Sequence, residues 1–271
     1  MKPLGLMLCW LLLLGRAGAA SVDSLWVPGA SEGEATFVLV IVPDREEPPE
    51  EGWPVVYLLH GYGADPRAML EVADLPAAAD RYGMAIVCPD GRPDSWYFDS
   101  PLDSTVRVET VLMHGVVPQV EARYGFRHDR SGRAIVGVSM GGHGALYLAV
   151  RHPERFGAAA SISGVLDLTE TTQPEALARR LGSFERYTGR WRGMSVLALA
   201  DSVDPGDVRI SIDCGLQDPF LAGNRRVHQK LLLRGVSHVY TERPGGHDRQ
   251  TFAHALRQQL LFCGEFFGTA R

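Results

Sequence analysis

One serine stands among four glycines in the segment "IVGVSMGGHGAL", residues 135–146. Gly137 precedes Ser139 by two positions and Gly141 follows it by two, which matches the G-x-S-x-G nucleophile elbow. In such an elbow the serine takes a strained turn, and neighbours without side chains let strand and helix approach closely. The pattern predicts a nucleophilic Ser139 at a helix start, where free N–H groups stabilise negative charge. The alternative is a glycine-rich turn that holds an incidental serine.

A serine nucleophile needs a base and an orienting acid, and the expected chain order is serine, acid, histidine. The segment "PGGHDRQTF" places His247 in a glycine-flanked loop, and "IDCGLQDPF" places Asp218 in the preceding loop. We expect His247 to take the serine proton and return it to the leaving group, while Asp218 holds the other ring nitrogen. The less favoured alternatives are His254 for the base and Asp213 or Asp248 for the acid.

The segment "LLHGYGADP", residues 58–66, carries a His-Gly pair directly after a strand-like run. Such a loop donates the second N–H group of an oxyanion hole. The predicted donors are the backbone N–H groups of Tyr62 and Met140. His60 is expected to support the loop by hydrogen bonding rather than to act as a base.

Substrate contacts are predicted from two aromatic segments. In "DGRPDSWYFDSP", residues 90–101, Trp96 and Tyr97 could offer flat faces to a sugar ring or an aryl group, or could simply pack a long loop. In a later polar segment, residues 190–192 (Arg190, Trp191 and Arg192) could contact an acidic or aromatic leaving group, although a solvated helix face is the favoured interpretation.

These residues must be positioned by alternating strands and helices. Helices are predicted from Asp65 and Pro66 to about Arg81 and from Pro219 towards Arg234. Short apolar strand-like runs cover residues 35–42, 54–59, 84–89, 133–138, 158–163, 208–213 and 238–243. Continuous apolar strands separated by helices indicate an α/β fold with a mainly parallel, doubly wound sheet. Residues 165–206 lack a strand signal and form either an excursion over the sheet edge or a lid.

The first twenty residues have the pattern of a signal peptide. Lys2 precedes an apolar run at residues 4–15, and the small residues of "RAGAAS" permit cleavage after Ala19 or Ala20. The run is shorter than the roughly 20 residues that span a bilayer. We therefore expect an exported protein, periplasmic or extracellular, whose residues 21–271 form one α/β domain without stable membrane insertion.

Composition adds few constraints on partners. The chain has 271 residues, of which 45% are hydrophobic and 22% charged, and its formal net charge is −5. Removal of the first twenty residues leaves 25 basic and 32 acidic residues, a net charge of −7. No basic face or run favours nucleic acid as a partner, and no sequence signal fixes the oligomeric state.

Three cysteines remain after removal of the first twenty residues: Cys88, Cys214 and Cys263. Their spacing matches no metal-site pattern, and an odd number leaves at least one free thiol. Cys88 lies in an apolar strand-like run and is predicted to be an inert core thiol. A disulfide between Cys214 and Cys263 is possible in an exported protein.

Together these motifs resemble the esterase D-type branch of the α/β hydrolases, which includes S-formylglutathione hydrolases, tributyrin esterases, feruloyl and acetylxylan esterases and mycolyltransferases. The resemblance runs from about Ala35 to the C-terminus and is most specific in "SMGGHGA". It implies the α/β-hydrolase fold, the Ser139, Asp218 and His247 triad, and oxyanion donors at Tyr62 and Met140. Related sequences often carry a tryptophan soon after the catalytic histidine, whereas residues 248–252 here read "DRQTF".

The resulting functional hypothesis is a secreted serine esterase that removes acyl groups from carbohydrates or small alcohols without a metal or organic cofactor. Export disfavours formylglutathione detoxification, which is a cytosolic task in the family. One alternative is acyl transfer to a sugar or lipid alcohol. The other is a non-catalytic, carbohydrate-binding relative.

Overall fold

A computed structural model describes residues 19–28, 35–44 and 48–270. Eight strands form one sheet in the order β1-β2-β4-β3-β5-β6-β7-β8. The strands from β4 to β8 in that order are parallel, whereas β2 runs antiparallel to both β1 and β4. Their bounds are β1 Ser21–Pro28, β2 Ala35–Val42, β3 Val55–Leu59, β4 Ala85–Pro89, β5 Arg133–Val138, β6 Ala158–Ile162, β7 Arg209–Gly215 and β8 His238–Arg243.

Helices cover both faces of the sheet. They are α1 Ala68–Val72, α2 Leu75–Tyr82, α3 Val108–Thr110, α4 Val117–Tyr124, α5 Met140–Arg151, α6 Pro174–Leu181, α7 Phe184–Met194, α8 Val196–Leu199, α9 Leu221–Leu233 and α10 Arg249–Phe267. A π-helical turn, Val111–Val116, joins α3 to α4.

Two apolar cores lie on opposite faces of the sheet. Alternate side chains of the central strands enter one core or the other, so that Val55 and Tyr57 belong to the first and Val56 and Leu58 to the second. All residues of β3, β4, β5 and β6 are buried, which explains their continuous apolar sequences. The predicted mainly parallel, doubly wound sheet is confirmed.

The structure differs from the predicted elements at two places. Strand β1 was not predicted, because most of its side chains are exposed at the sheet edge and its sequence lacks an apolar run. The helix predicted from Asp65 to Arg81 is two helices, since Ala73 is extended (φ −150°, ψ 160°). Asp74 then caps α2 by accepting a hydrogen bond from the Ala77 N–H at 3.0 Å.

The three cysteines are buried and free, so the possible bridge between Cys214 and Cys263 is not formed. Burial raises the pKa of the thiols of Cys88, Cys214 and Cys263, which keeps them protonated and unreactive. The predicted signal peptide lies almost entirely outside the described residues. Within the described ranges, no helix has both the length and the hydropathy needed to cross a membrane.

Residues 165–206 join β6 to β7 through α6, α7 and α8. The Trp191 side chain is buried and donates a hydrogen bond from Nε1 to the Gly182 carbonyl at 2.9 Å. The Arg190 guanidinium lies over the Tyr187 ring at 4.1 Å, and Arg192 lines a separate surface groove. None of the three lines the cavity at Ser139, so the structure does not support the leaving-group contact; the favoured solvated face holds for the exposed Arg192 but not for the buried Trp191.

Candidate active site

Ser139 lies between the end of β5 and the start of α5 in a backbone conformation with positive φ (φ 58°, ψ −116°). The neighbouring positions have no room for a side chain and therefore require glycine. A Cβ atom at Gly137 would lie 2.0 Å from the Gly141 carbonyl oxygen, and one at Gly141 would lie 2.3 Å from the Leu59 oxygen. The structure therefore has the close strand-to-helix turn that the glycine pattern predicts, with the Ser139 side chain at the edge of the sheet.

Ser139, His247 and Asp218 form one chain of hydrogen bonds. His247 Nε2 lies 2.9 Å from Ser139 Oγ, and His247 Nδ1 lies 2.8 Å from Asp218 Oδ2. Asp218 is buried, and its second oxygen accepts the Phe220 N–H at 2.9 Å, which fixes the carboxylate. The histidine is thus oriented as a base towards the serine.

The alternative residues have other partners or positions. Asp213 is buried in an ion pair with Arg243. Asp248 caps α10 by accepting the Thr251 N–H at 2.9 Å, while His254 is exposed on that helix. The structure brings only Asp218 and His247 of these candidates to Ser139.

The ring of His247 is held between two phenylalanines. Phe220 and Phe252 contact it edge to face, with ring centroids 5.1 and 4.9 Å away. Sequence reasoning did not assign either residue to the site. The signal for Phe252 was its place five residues after His247, in the region where related sequences often have a tryptophan.

The two predicted oxyanion donors lie beside the nucleophile. Met140 is the first residue of α5, so its N–H group has no partner within the helix. Tyr62 lies in the loop after β3, and a Cβ atom at neighbouring Gly61 would lie 3.5 Å from Ser139 Cβ. Both Tyr62 and Met140 line the same cavity as Ser139.

His60 supports this loop, as the sequence indicated. Its buried ring accepts the Gly91 N–H at Nε2 (3.0 Å), which leaves Nδ1 to donate to the Gly61 carbonyl (2.9 Å). Gly63 N–H also donates to the Pro93 carbonyl at 2.7 Å. The loop is therefore fixed to the segment that carries Trp96.

A cavity of about 370 Å³ opens over Ser139. One of its walls comes from the helices and loops on one face of the sheet, and the other wall comes from those on the opposite face. Met69 belongs to the core on the α10 face, whereas Trp96 belongs to the core on the opposite face. We call the first wall the apolar wall: Ala64, Ala68, Met69, Val72 and Phe252. We call the second the polar wall: Trp96, Val165, Thr171, Thr172, Gln173 and Phe220.

Trp96 and Tyr97 take different positions although they are adjacent. Trp96 lines the cavity, but Tyr97 is fully buried behind it and donates a hydrogen bond from its hydroxyl to the His60 carbonyl at 3.0 Å. The prediction that Tyr97 offers a face to the substrate is therefore wrong. Both residues have left-handed backbones, with φ of 59° and 62°.

His143 links the Trp96 segment to the excursion. Its buried ring lies against the Trp96 carbonyl at Nδ1 (3.2 Å) and the Met194 carbonyl at Nε2 (2.9 Å). Burial lowers the pKa of His143 to about 4, so the ring is neutral at physiological pH and its single N–H group donates to only one of these two carbonyls.

Ion pairs connect the same two segments. Arg180 of α6 contacts Asp94 at 2.6 Å and Asp103 at 3.0 Å, and its carbonyl accepts the Ser100 hydroxyl at 2.8 Å. Arg179 also reaches Asp94, at 3.0 Å. The excursion is thus tied to the segment that carries Trp96.

The sequence model of a family described as "Putative esterase" matches residues 30–263. The chain belongs to this esterase family. It is 29% identical over 255 residues to Esterase Rv1288 of Mycobacterium tuberculosis, covering 82% of this chain and 53% of that protein. It is 30% identical over 234 residues to the diacylglycerol acyltransferase/mycolyltransferase Ag85B of Mycobacterium intracellulare, covering 78% and 66%. The chain therefore spans about half the length of the first of these relatives (53%).

Two solved structures share the fold. A ferulic acid esterase superposes with a TM-score of 0.77 at 26% identity, covering 91% of this chain and 99% of that one. An S-formylglutathione hydrolase from Staphylococcus aureus superposes with a TM-score of 0.78 at 19% identity, covering 90% and 99%. The fold of this esterase-family member is the α/β-hydrolase fold.

Several residues of the cavity were not predicted from the sequence. They come from α1, from α10 and from the start of the excursion, and their apolar or hydroxyl side chains carry no motif: Met69, Val72, Phe252, Thr171, Thr172 and Gln173. Between residues 19 and 270, apart from the gaps at 29–34 and 45–47, no three histidine, cysteine or acidic side chains are grouped to hold a metal ion.

Proposed function

We propose that this protein is an exported serine esterase that hydrolyses carboxylic esters through an acyl-enzyme on Ser139. The observation that carries the proposal is the hydrogen-bonded chain from Ser139 Oγ to His247 (2.9 Å) and from His247 to Asp218 (2.8 Å). Membership of the esterase family supports it. Such a chain activates a serine hydroxyl that is otherwise a weak nucleophile.

Acylation follows from the positions of these groups. Ser139 Oγ attacks the ester carbonyl carbon while His247 Nε2 takes the hydroxyl proton, and Asp218 stabilises the resulting imidazolium. The N–H groups of Tyr62 and Met140 stabilise the negative charge on the carbonyl oxygen. The ester C–O bond then breaks, and His247 returns the proton to the departing alcohol.

Deacylation repeats the steps with water. His247 takes a proton from water, which attacks the acyl carbon, and the Ser139 oxygen leaves and recovers a proton from His247. The free acid is released, and the enzyme returns to its starting state.

The proposed substrates are acyl groups on carbohydrates or small alcohols outside the cytoplasm. The hydroxyl and amide side chains of Thr171, Thr172 and Gln173 at the cavity support a hydroxylated substrate. Similarity to a ferulic acid esterase agrees with such esters. The signal-peptide pattern of residues 1–20 supports export.

Transfer of the acyl group to another alcohol is the second candidate, because relatives include proteins named diacylglycerol acyltransferase/mycolyltransferase. The acyl-enzyme is the same in both reactions, and only the acceptor differs. Product analysis in the presence of an added sugar or glycerol separates them, since transfer gives a new ester and hydrolysis gives only the acid.

The first test is mass spectrometry with peptide mapping after brief exposure to an activated fluorophosphonate. We expect one adduct on Ser139 and none in Ser139→Ala, which keeps a Cβ atom in the same turn. Ester turnover should fall by about 10⁴-fold or more in that variant. A folded wild-type protein without an adduct would contradict the proposal and favour a non-catalytic, carbohydrate-binding relative.

A further inference from the structure

The two walls of the cavity differ in the chemistry they offer to an ester. The apolar wall consists of alanine, methionine, valine and phenylalanine side chains and has no hydroxyl, amide or charge. Met69 is buried and Val72 and Phe252 pack against the same core, so the wall continues the apolar interior of the α10 face. A hydrocarbon chain can therefore leave water and pack against this wall, and no polar group of the wall loses a hydrogen bond to water when it does so.

Three of the six side chains of the polar wall can bind oxygen atoms, whereas Trp96, Val165 and Phe220 are aromatic or aliphatic. Thr171 and Thr172 carry hydroxyls and Gln173 carries an amide. Trp96 is 1% exposed, and its buried Nε1–H group, which has no hydrogen-bond partner among the described residues, is not a group that a ligand in the cavity can reach.

An ester has two parts that meet at the carbonyl carbon, and the two walls meet at Ser139. We propose that the apolar wall binds the hydrocarbon chain of the acyl group and that the polar wall binds the alcohol. The reverse orientation would place hydroxyl groups of the alcohol against the apolar wall without replacing their bonds to water. The substrate class is thus an ester of an apolar aliphatic acid with a hydroxylated alcohol. This assignment rests on the proposed esterase function.

Acyl chain length gives a direct test with a constant leaving group. Each methylene that leaves water strengthens binding by about fourfold, so two methylenes can favour butyrate over acetate by up to about fifteenfold. The measured quantity is the ratio of kcat/KM for p-nitrophenyl butyrate to kcat/KM for p-nitrophenyl acetate. A wild-type ratio above one is expected.

Matched substitutions place the same ring on each wall. Ala68 is half-buried at the start of α1 and Thr172 is exposed before α6, so both sites accept a larger side chain. The ring introduced by Ala68→Phe should fill the space beside the apolar wall, which lowers the butyrate-to-acetate ratio of kcat/KM by about tenfold. Thr172→Phe should leave this ratio within about twofold, and it should lower turnover of glucose pentaacetate relative to p-nitrophenyl acetate.

The outcomes distinguish a failure of the wall assignment from a failure of the proposed esterase function. An unchanged chain-length ratio in Ala68→Phe, or a reduced one in Thr172→Phe, overturns the wall assignment while ester turnover remains. A wild-type protein that forms no fluorophosphonate adduct and cleaves no ester overturns both. Adduct formation by each variant verifies its fold, and Ala68→Leu repeats the test with a smaller side chain if Ala68→Phe does not fold.

Discussion

The polar wall of the cavity is fixed by hydrogen bonds and ion pairs, whereas the apolar wall is held by side-chain packing. On the polar side, His143, Arg180 and Ser100 join the Trp96 segment to the excursion. On the apolar side, α1 has five residues and no side-chain cap. A helix of that length is unstable alone, so packing against α10 must hold it.

Backbone strain explains why the polar wall needs these bonds. Trp96 and Tyr97 are consecutive residues with positive φ, and each such residue costs about 1–3 kcal/mol. A backbone conformation that costs this much free energy persists only where contacts with the surrounding structure hold it in place. Residues 68–72 of the apolar wall are helical and carry no such strain. The fixed wall is suited to orienting a substrate, and the packed wall to adapting to hydrocarbon chains of different length.

The largest expected effect concerns pH and the polar wall. The pKa of His143 falls from 6.5 to about 4 on folding, so between these values the unfolded chain binds more protons than the folded protein. The free energy of unfolding should therefore decrease as the pH falls from about 6.5 to about 4, by roughly 3 kcal/mol from this group. Urea unfolding at several pH values measures it.

His143→Gln provides the control for this pH dependence. Glutamine does not titrate but can still donate a hydrogen bond to a carbonyl oxygen. Its unfolding free energy should depend less on pH over the same window. Equal pH slopes in the two proteins would show that His143 is not buried in its neutral form.

The next effect tests packing in the apolar wall. Met69 is 3% exposed, and truncation to alanine removes the main anchor of α1. Because one side of the residue faces the cavity, we expect a loss near the lower end of the usual range, about 2 kcal/mol. Met69→Leu keeps the volume and should lose less. Thermal unfolding measures both, and a negligible effect of Met69→Ala would mean that packing does not hold this wall.

A third substitution tests the ion pairs of the polar wall. Arg180 and Arg179 both bind Asp94, but their side chains are 15% and 58% exposed. Arg180→Gln should lower the free energy of unfolding by about 2 kcal/mol because its bonds are partly buried and charged. Arg179→Gln should cost less than about 1 kcal/mol. Denaturant unfolding distinguishes them, and equal losses would remove the role assigned to Arg180.

Much of the fold could be predicted because the central strands are buried on both faces and read as continuous apolar runs. Strand β1 could not, since Ser24 and Trp26 face solvent at the edge and break the pattern. Ser139 and the loops that carry Asp218 and His247 stand next to glycines and strand ends, which mark them in the sequence.

The walls could not be predicted in the same way. Trp96 and Tyr97 are adjacent, and their left-handed backbones remove the alternation from which a facing direction is inferred. Both are buried, and contacts distant in sequence, such as those with His60 and His143, decide which of the two lines the cavity. Met69 and Val72 look like ordinary core residues of a helix, so only the tertiary structure identifies them as cavity residues.

The smallest expected effect concerns the polar contact of the apolar wall. Arg249 of α10 bonds to the carbonyl and the carboxylate of Glu71 in α1, but their side chains are 65% and 69% exposed. Water and salt screen such a pair, so Arg249→Gln should change the free energy of unfolding by less than about 0.5 kcal/mol. Denaturant unfolding at low and high salt measures it. A loss as large as that of Arg180→Gln would mean that both walls depend on ionic contacts, and the contrast between them would fail.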